Sequence, residues 1–205
     1  MPIRQLVLGD LDTNCYIVWD DAKQALIIDP GDDADTILDA VRQEGLTVIA
    51  VVLTHAHFDH MLAAESVCAA TGSPLYVGRG DAEAMTDPVR NLSGLFTDSA
   101  AVTVDEFIPL NEGDTLCCGE MVFSVMETPG HTPGCICLYG DGHLFAGDTL
   151  FRDSIGRLDF PGGDSNAMIE SLRRLMQLSE DTLVYSGHGP STTIGREMRH
   201  NPYLR

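Results

Sequence analysis

The sequence of 205 residues has no apolar run approaching the ~20 residues that cross a bilayer; its longest, Val48 to Leu53, is the length of a strand. The start, Met1-Pro2-Ile3-Arg4-Gln5-Leu6, lacks both an apolar core segment and a small-residue cleavage site. That predicts a cytoplasmic protein with no targeting segment. Six cysteines are too few for a disulfide scaffold, and none is arranged as Cys-x-x-Cys, so they read as reduced thiols in strands and core. Basic residues are scarce: 12 Lys and Arg against 31 Asp and Glu leave a net charge of −19. A surface of that sign repels phosphate backbones and anionic headgroups, which excludes nucleic acid and membrane as partners. No repeat or low-complexity tract is present.

What remains is a chain with 44% hydrophobic residues and 20 glycines. It predicts one globular domain over residues 1–205, with no separate helical domain after it. Strand-like runs lie at Ile3–Leu8, Asn14–Trp19, Ala25–Asp29 and Thr47–Leu53, the last β-branched throughout and so buried on both faces. A helix capped near Asp33 should turn Ile37, Leu38 and Val41 inward. Another should run from His60 to Ala70 and stop at Gly72. Residues 81–105 have the weakest periodicity and read as a loop-rich insertion. Strands recur at Leu75–Val77, Thr115–Cys118, Met121–Glu127, Cys135–Tyr139 and His143–Ala146, with Asp141-Gly142 as a hairpin turn. Asp164 should cap a helix that buries Met168, Leu172 and Leu175. Leu183–Ser186 is then a final strand before a polar tail. This order has too many hairpins for a doubly wound sheet and fits two sheets between helices.

The chemistry is concentrated in His55-Ala56-His57-Phe58-Asp59-His60, directly after the buried strand. Residues two apart in an extended segment point the same way, so His55 and His57 can converge on one cation. The following helix re-aims Asp59 and His60 toward a neighbouring point, so one strand end can serve two metals about 3.5–4 Å apart. Three more candidates follow later strands. His131 lies in the rigid turn Thr128-Pro129-Gly130-His131-Thr132-Pro133-Gly134, Asp148 in Gly147-Asp148-Thr149, and His188 in Ser186-Gly187-His188-Gly189. His143, beside a hairpin turn, and His200, in the tail, lack such a setting and read as ordinary surface histidines.

This series resembles the metallo-β-lactamase superfamily, and more narrowly its short, single-domain glyoxalase II-like branch, the hydroxyacylglutathione hydrolases. Thr13-Asn14-Cys15-Tyr16, Asp29-Pro30-Gly31 and Gly147-Asp148-Thr149-Leu150-Phe151 add to the likeness. The resemblance implies an α/β four-layer αββα sandwich with the site at one edge of the sheets. It implies that His55, His57 and His131 hold one divalent metal, that Asp59, His60 and His188 hold a second, and that Asp148 bridges them. Donors of N and O without Cys suit Zn²⁺, Fe²⁺ or Mn²⁺ and do not choose among them; zinc is the first expectation, with iron or manganese as alternatives.

Such a site lowers the pKa of a shared water toward neutrality, and the hydroxide attacks a carbonyl carbon, with Asp59 and Asp148 as the catalytic carboxylates. A thioester suits it, because a thiol of pKa near 8.5 leaves without an added acid. By resemblance the substrate is a glutathione thioester such as S-lactoylglutathione, its carboxylate met by Arg157, with Arg152 beside it. The family's tyrosine two residues beyond that arginine is Asp159 here. Arg196, Arg199 and Arg205 are further candidates for the anionic contact. Two other readings stay open: a persulfide dioxygenase of the same fold using one iron, and a metal-bearing binding module without catalysis.

Overall fold

The computed structural model describes residues 1–96 and 102–204. In the first half, β1 (Ile3–Leu8), β2 (Thr13–Trp19), β3 (Gln24–Ile28), β4 (Thr47–Leu53), β5 (Leu75–Gly78) and β6 (Ile108–Leu110) form one sheet in chain order. β1 to β3 pair antiparallel across short turns, and β3 to β6 pair parallel. Parallel neighbours need crossovers. α1 (Ala34–Glu44) supplies the first, α2 (Phe58–Met61) with α3 (Ala64–Thr71) the second, and the segment carrying α4 (Ser93–Phe96) the third.

The second sheet takes β7 (Thr115–Cys118), β8 (Met121–Glu127), β9 (Ile136–Gly140), β10 (His143–Gly147), β13 (Leu183–Ser186) and β14 (Thr192–Thr193), in the order β14-β13-β10-β9-β8-β7. The pair β11 (Leu150–Phe151) and β12 (Ser154–Ile155) stands apart. α5 (Ser165–Leu175) crosses from β10 to its parallel neighbour β13, and α6 (Ile194–His200) follows β14. Asp141 and Gly142 turn the β9–β10 hairpin with φ of 48° and 74°, the positive values that a two-residue turn requires.

Strand periodicity builds the layers. Ile17, Ile27 and Val51 face α1 and α3, packing with Ile37, Ala40 and Val67. Their neighbours Val18, Ile28 and Val52 face the other way, against Phe123, Val125, Leu138 and Phe145 of the second sheet. The far side of that sheet, with Cys137, Leu144 and Val184, is covered by Met168, Leu172 and Leu175 of α5. Three apolar layers thus separate helices, sheet, sheet and helix: an αββα sandwich. β4 is buried on both faces because helices cover one side of its sheet and the second sheet covers the other. Among the described residues all six cysteines are free, and no helix is long and apolar enough to cross a membrane.

Three details depart from the sequence expectations, in α1, in the second crossover and in the tail. In α1 it is Ala40 rather than Leu38 that is fully buried, although Asp33 caps the helix as expected, accepting from the Thr36 amide at 3.1 Å. The helix expected from His60 to Ala70 is broken at Leu62-Ala63, because the Ala63 amide donates to the Pro30 carbonyl at 3.0 Å instead of extending the helical ladder. The segment 81–105 is tied down, with Met85 buried and Asn91 Nδ2 donating to the carbonyls of Ala84 and Val102; residues 97–101 lie outside the described residues.

The tail is structured as β14 and α6, and its key residue is the fully buried Glu197. Glu197 accepts from the Asp153 amide at 2.8 Å, Thr192 Oγ1 at 2.5 Å, Arg196 Nη1 at 2.9 Å and Asn201 Nδ2 at 3.0 Å. Removing a buried carboxylate strands the donors around it. Glu197→Ala should cost about 3 kcal/mol and lower the melting temperature by roughly 6–12 °C, measured by denaturant and thermal unfolding. A loss below about 1 kcal/mol would show that the donors find water instead.

Candidate metal centre

The candidate ligands all stand where strands end. His55 and His57 follow β4, and Asp59 and His60 ride on α2 immediately after. His131 follows β8, Asp148 follows β10 and His188 follows β13. His57 is still extended, with φ −76° and ψ 146°, so its side chain shares a side with that of His55.

All seven side chains come together at one edge of the two sheets. His57 Nδ1 lies 3.1 Å from His55 Nε2 and 2.9 Å from His131 Nε2. Beside this trio, Asp59 Oδ2 lies 3.5 Å from His60 Nε2 and 3.3 Å from His188 Nε2. Asp148 sits between the two groups: Oδ1 is 3.5 Å from His60 Nε2, and Oδ2 is 3.6 Å from His131 Nε2. His143 is elsewhere, stacked on Tyr185 with Nδ1 3.1 Å from its hydroxyl, and His200 ends α6.

Three of the outer nitrogens are pinned. His131 Nδ1 donates to the Arg157 carbonyl at 2.7 Å, and His188 Nδ1 to the Leu11 carbonyl at 3.0 Å. His55 Nδ1 donates to Thr54 Oγ1 at 3.2 Å, whose own proton goes to Asp29 Oδ2 at 2.7 Å. These bonds fix the tautomers and leave the Nε2 lone pairs of His55, His131 and His188 facing inward.

Two buried carboxylates, not assigned a site role from the sequence, complete this outer layer. Asp29 also accepts from the Thr54 amide at 2.7 Å and faces His60 Nδ1 at 3.0 Å. Asp81 accepts from the Ala56 amide, Thr132 Oγ1 and the Gly134 amide at 2.7–2.9 Å, tying the His55–His57 segment to the His131 turn. The Asp29-Pro30-Gly31 turn marked the first position in the sequence; Asp81 carried no local signal.

The residues fit divalent cations. His57 Nδ1 has at most one proton to share between two inward lone pairs, so one ring nitrogen of the trio is always left without a partner. His57 Nε2, His60 Nε2 and Asp148 Oδ1 are buried with no hydrogen-bond partner. Tetrahedral ligands 2.0–2.1 Å from zinc sit roughly 3.3 Å apart, close to the separations within the trio. Three sets of donor atoms lie within 4.8 Å of one another: His55 with His57 and His131, Asp59 with His60 and His188, and His55 with His60 and Asp148.

Electrostatics also separates the two groups. Burial and the neighbouring His131 push His57 down to about 3, and burial drives His55 well below its ordinary value. Burial opposes a charge on His60 too, but Asp59, Asp29 and Asp148 outweigh it and lift that ring to about 10. His55 and His57 are therefore neutral at physiological pH, ready to donate lone pairs, whereas His60 carries a proton among its carboxylates.

Residues 8–188 match the family described as the metallo-beta-lactamase superfamily. The chain belongs to that superfamily. It is 35% identical to the hydroxyacylglutathione hydrolase GloC of Haemophilus influenzae, over all of this chain and 98% of that one. Its fold matches the crystal structure of the BLEG-1 B3 metallo-beta-lactamase with a TM-score of 0.94 and 40% identity over 99% of each chain. It matches the di-iron-bound form of TTHA1623 with a TM-score of 0.87 and 38% identity over 98% of this chain and 100% of that one. A metallo-beta-lactamase fold with this His and Asp cluster is compatible with divalent metal binding.

A cleft of about 420 Å³ opens over the centre of this superfamily member. Leu11, Phe58, Phe96, Phe151, Ile155 and Phe160 line it together with Asp59, Asp148 and Arg157. Arg152 is exposed and does not line it. Arg196 is bound by Asp153 and Glu197 and Arg199 by Glu180, whereas Arg205 lies outside the described residues.

With Asp148 shared between both groups, Asp148→Ala should lower bound zinc per chain by about half or more, measured by elemental analysis after dialysis. His143→Ala should retain the wild-type content. Full metal in the first variant, or loss in the second, would contradict this placement.

Proposed function

We propose that the protein is a metal-dependent thioesterase that hydrolyses S-(2-hydroxyacyl)glutathione, such as S-lactoylglutathione, to the hydroxy acid and glutathione. The observation that carries this reading is the geometry of seven inward-facing donors beneath an apolar cleft that holds one guanidinium. Similarity to GloC along the whole chain supports the substrate class.

His55, His57 and His131 would hold one cation, Asp59, His60 and His188 the other, and Asp148 both. Two divalent ions there, zinc first with iron or manganese as alternatives, would supply a hydroxide nucleophile near neutral pH and stabilise charge on the carbonyl oxygen.

The chain's own residues do the rest. Thr13 Oγ1 donates to Asp59 Oδ2 at 3.1 Å, which fixes the rotamer of this carboxylate at the cleft floor. From there Asp59 can accept a hydrogen bond from the nucleophile and orient it. Phe58, Phe96 and Phe160 exclude water from the carbonyl carbon. A leaving amine needs a proton from an added acid, whereas a thiol of pKa near 8.5 departs as the thiolate. Arg157, at the cleft wall, would meet a glutathione carboxylate away from the reacting carbonyl.

The decisive experiment measures hydrolysis of S-lactoylglutathione by protein of known metal content. Parallel arms measure opening of a β-lactam, an activated amide, and oxygen uptake with glutathione persulfide. Dominant turnover in either parallel arm would replace the thioesterase reading, and bound metal without turnover in any arm would leave a binding module. Within the thioesterase reading, Arg157→Ala should raise KM for S-lactoylglutathione about tenfold with little change in kcat, since remote binding is shared by ground and transition states. Asp59→Ala should instead lower kcat for this substrate and for a small neutral thioester alike.

A further inference from the structure

Arg157 lines the cleft, yet its fork is already engaged. Nε donates to Asp159 Oδ1 and Nη2 to Asp159 Oδ2, both at 2.7 Å, and the guanidinium lies 3.9 Å above the centroid of the Phe160 ring. Two parallel N–H···O bonds are the geometry with which an arginine reads any carboxylate. Asp159 thus presents to Arg157 the same chemical group a substrate would.

The backbone beneath this pair is fixed. Gly156 packs so closely on the Asp148 carbonyl that an added Cβ would stand 1.9 Å from its oxygen. The Arg157 carbonyl is held by His131 Nδ1 at 2.7 Å. Asp159, by contrast, is exposed and does not line the cleft. Its side chain can swing into water while the loop stays in place.

We propose that Asp159 is a built-in competitor for the carboxylate site of Arg157: it holds the guanidinium in the resting protein, and a carboxylate ligand binds by displacing it. The inference rests on the thioesterase reading only for the identity of the ligand. Its consequence is selectivity. A ligand whose carboxylate binds Arg157 more favourably than Asp159 does gains only the difference, so weak anions are refused and apolar contacts in the cleft carry much of the affinity.

The test is calorimetric binding of S-hexylglutathione, a thioether that cannot be hydrolysed, to the metal-loaded protein. Exposed ion pairs of this kind are weak, so Asp159→Ala should tighten binding by about two- to fivefold. The dimethyl ester of the same thioether, without carboxylates, should gain nothing. The gain should vanish in the Arg157→Ala/Asp159→Ala double variant. Unchanged or weaker binding by Asp159→Ala would overturn the proposal, and so would a gain that survives loss of Arg157, which would reflect net charge alone. If S-lactoylglutathione is not hydrolysed but the carboxylate-dependent gain is seen, the substrate reading fails while the competitor stands. If hydrolysis proceeds without the gain, the competitor fails and the substrate reading stands.

Discussion

Burying unpaired lone pairs is the constraint on which the rest of this structure depends. An imidazole prefers to satisfy both nitrogens, and a buried carboxylate prefers donors on every oxygen. Here the outer nitrogens of His55, His131 and His188 are satisfied by the protein, and the inner atoms face one another at 2.9–3.7 Å without enough protons to go round. Left free, these rings would rotate to pair among themselves or admit water. The bonds from His131 to the Arg157 carbonyl, from His188 to the Leu11 carbonyl and from His55 through Thr54 to Asp29 oppose that rotation. The cost of unpaired atoms is thereby placed where a cation can offset it, so binding affinity is prepared during folding.

Backbone packing serves the same end. The donors come from both sheets, and they meet only if the connecting segments approach more closely than side chains normally allow. Gly187 lies where a Cβ would stand 2.2 Å from Asp148 Oδ1 and 2.7 Å from His60 Cε1. At Gly31 an added Cβ would stand 2.1 Å from the Asp59 carbonyl oxygen. The same contact region explains the broken helix: the Asp29-Pro30-Gly31 turn presses on α2, and the Pro30 carbonyl takes the Ala63 amide that a continuous helix would have kept. A short α2 is what lets Asp59 and His60 turn toward the centre on their own axis, independent of α3.

The legible parts of the molecule were those written in local geometry. His55, His57, Asp59 and His60 lie within one strand end and one helical turn, where alternation and helical pitch decide direction without reference to the rest of the chain. His131, Asp148 and His188 were marked by glycine- and proline-bounded turns after apolar strands. Runs of period two and amphipathic helices fitted two sheets between helices, and it was the resemblance carried by the motifs that implied the sandwich. Asp81 was not legible, because its role arises only when the turn at 79–81 packs on Thr132 and Gly134, some fifty residues away in sequence. Glu197 was hidden for the same reason: an acidic residue in a polar stretch reads as solvated until Asp153, Thr192 and Asn201 close around it. The engagement of Arg157 by Asp159 lay only two residues apart, yet sequence spacing does not say whether neighbouring charges pair or diverge.

Charge gives the cleft its division of labour. A net charge of −19 repels an anionic ligand at long range, so the field of the whole protein cannot steer such a substrate inward. Recognition has to act at contact distance, where screening by salt is weakest and apolar burial adds to it. The cleft has that composition: aromatic and aliphatic walls around one cation, itself shielded by Asp159. The carboxylates at the floor, Asp59 and Asp148, are partly compensated by His60 and His188, leaving a centre that favours cations over a free anion. The acidic surface and the histidine-rich interior therefore act in opposite senses, the one limiting which ligands approach and the other gathering donors suited to a cation.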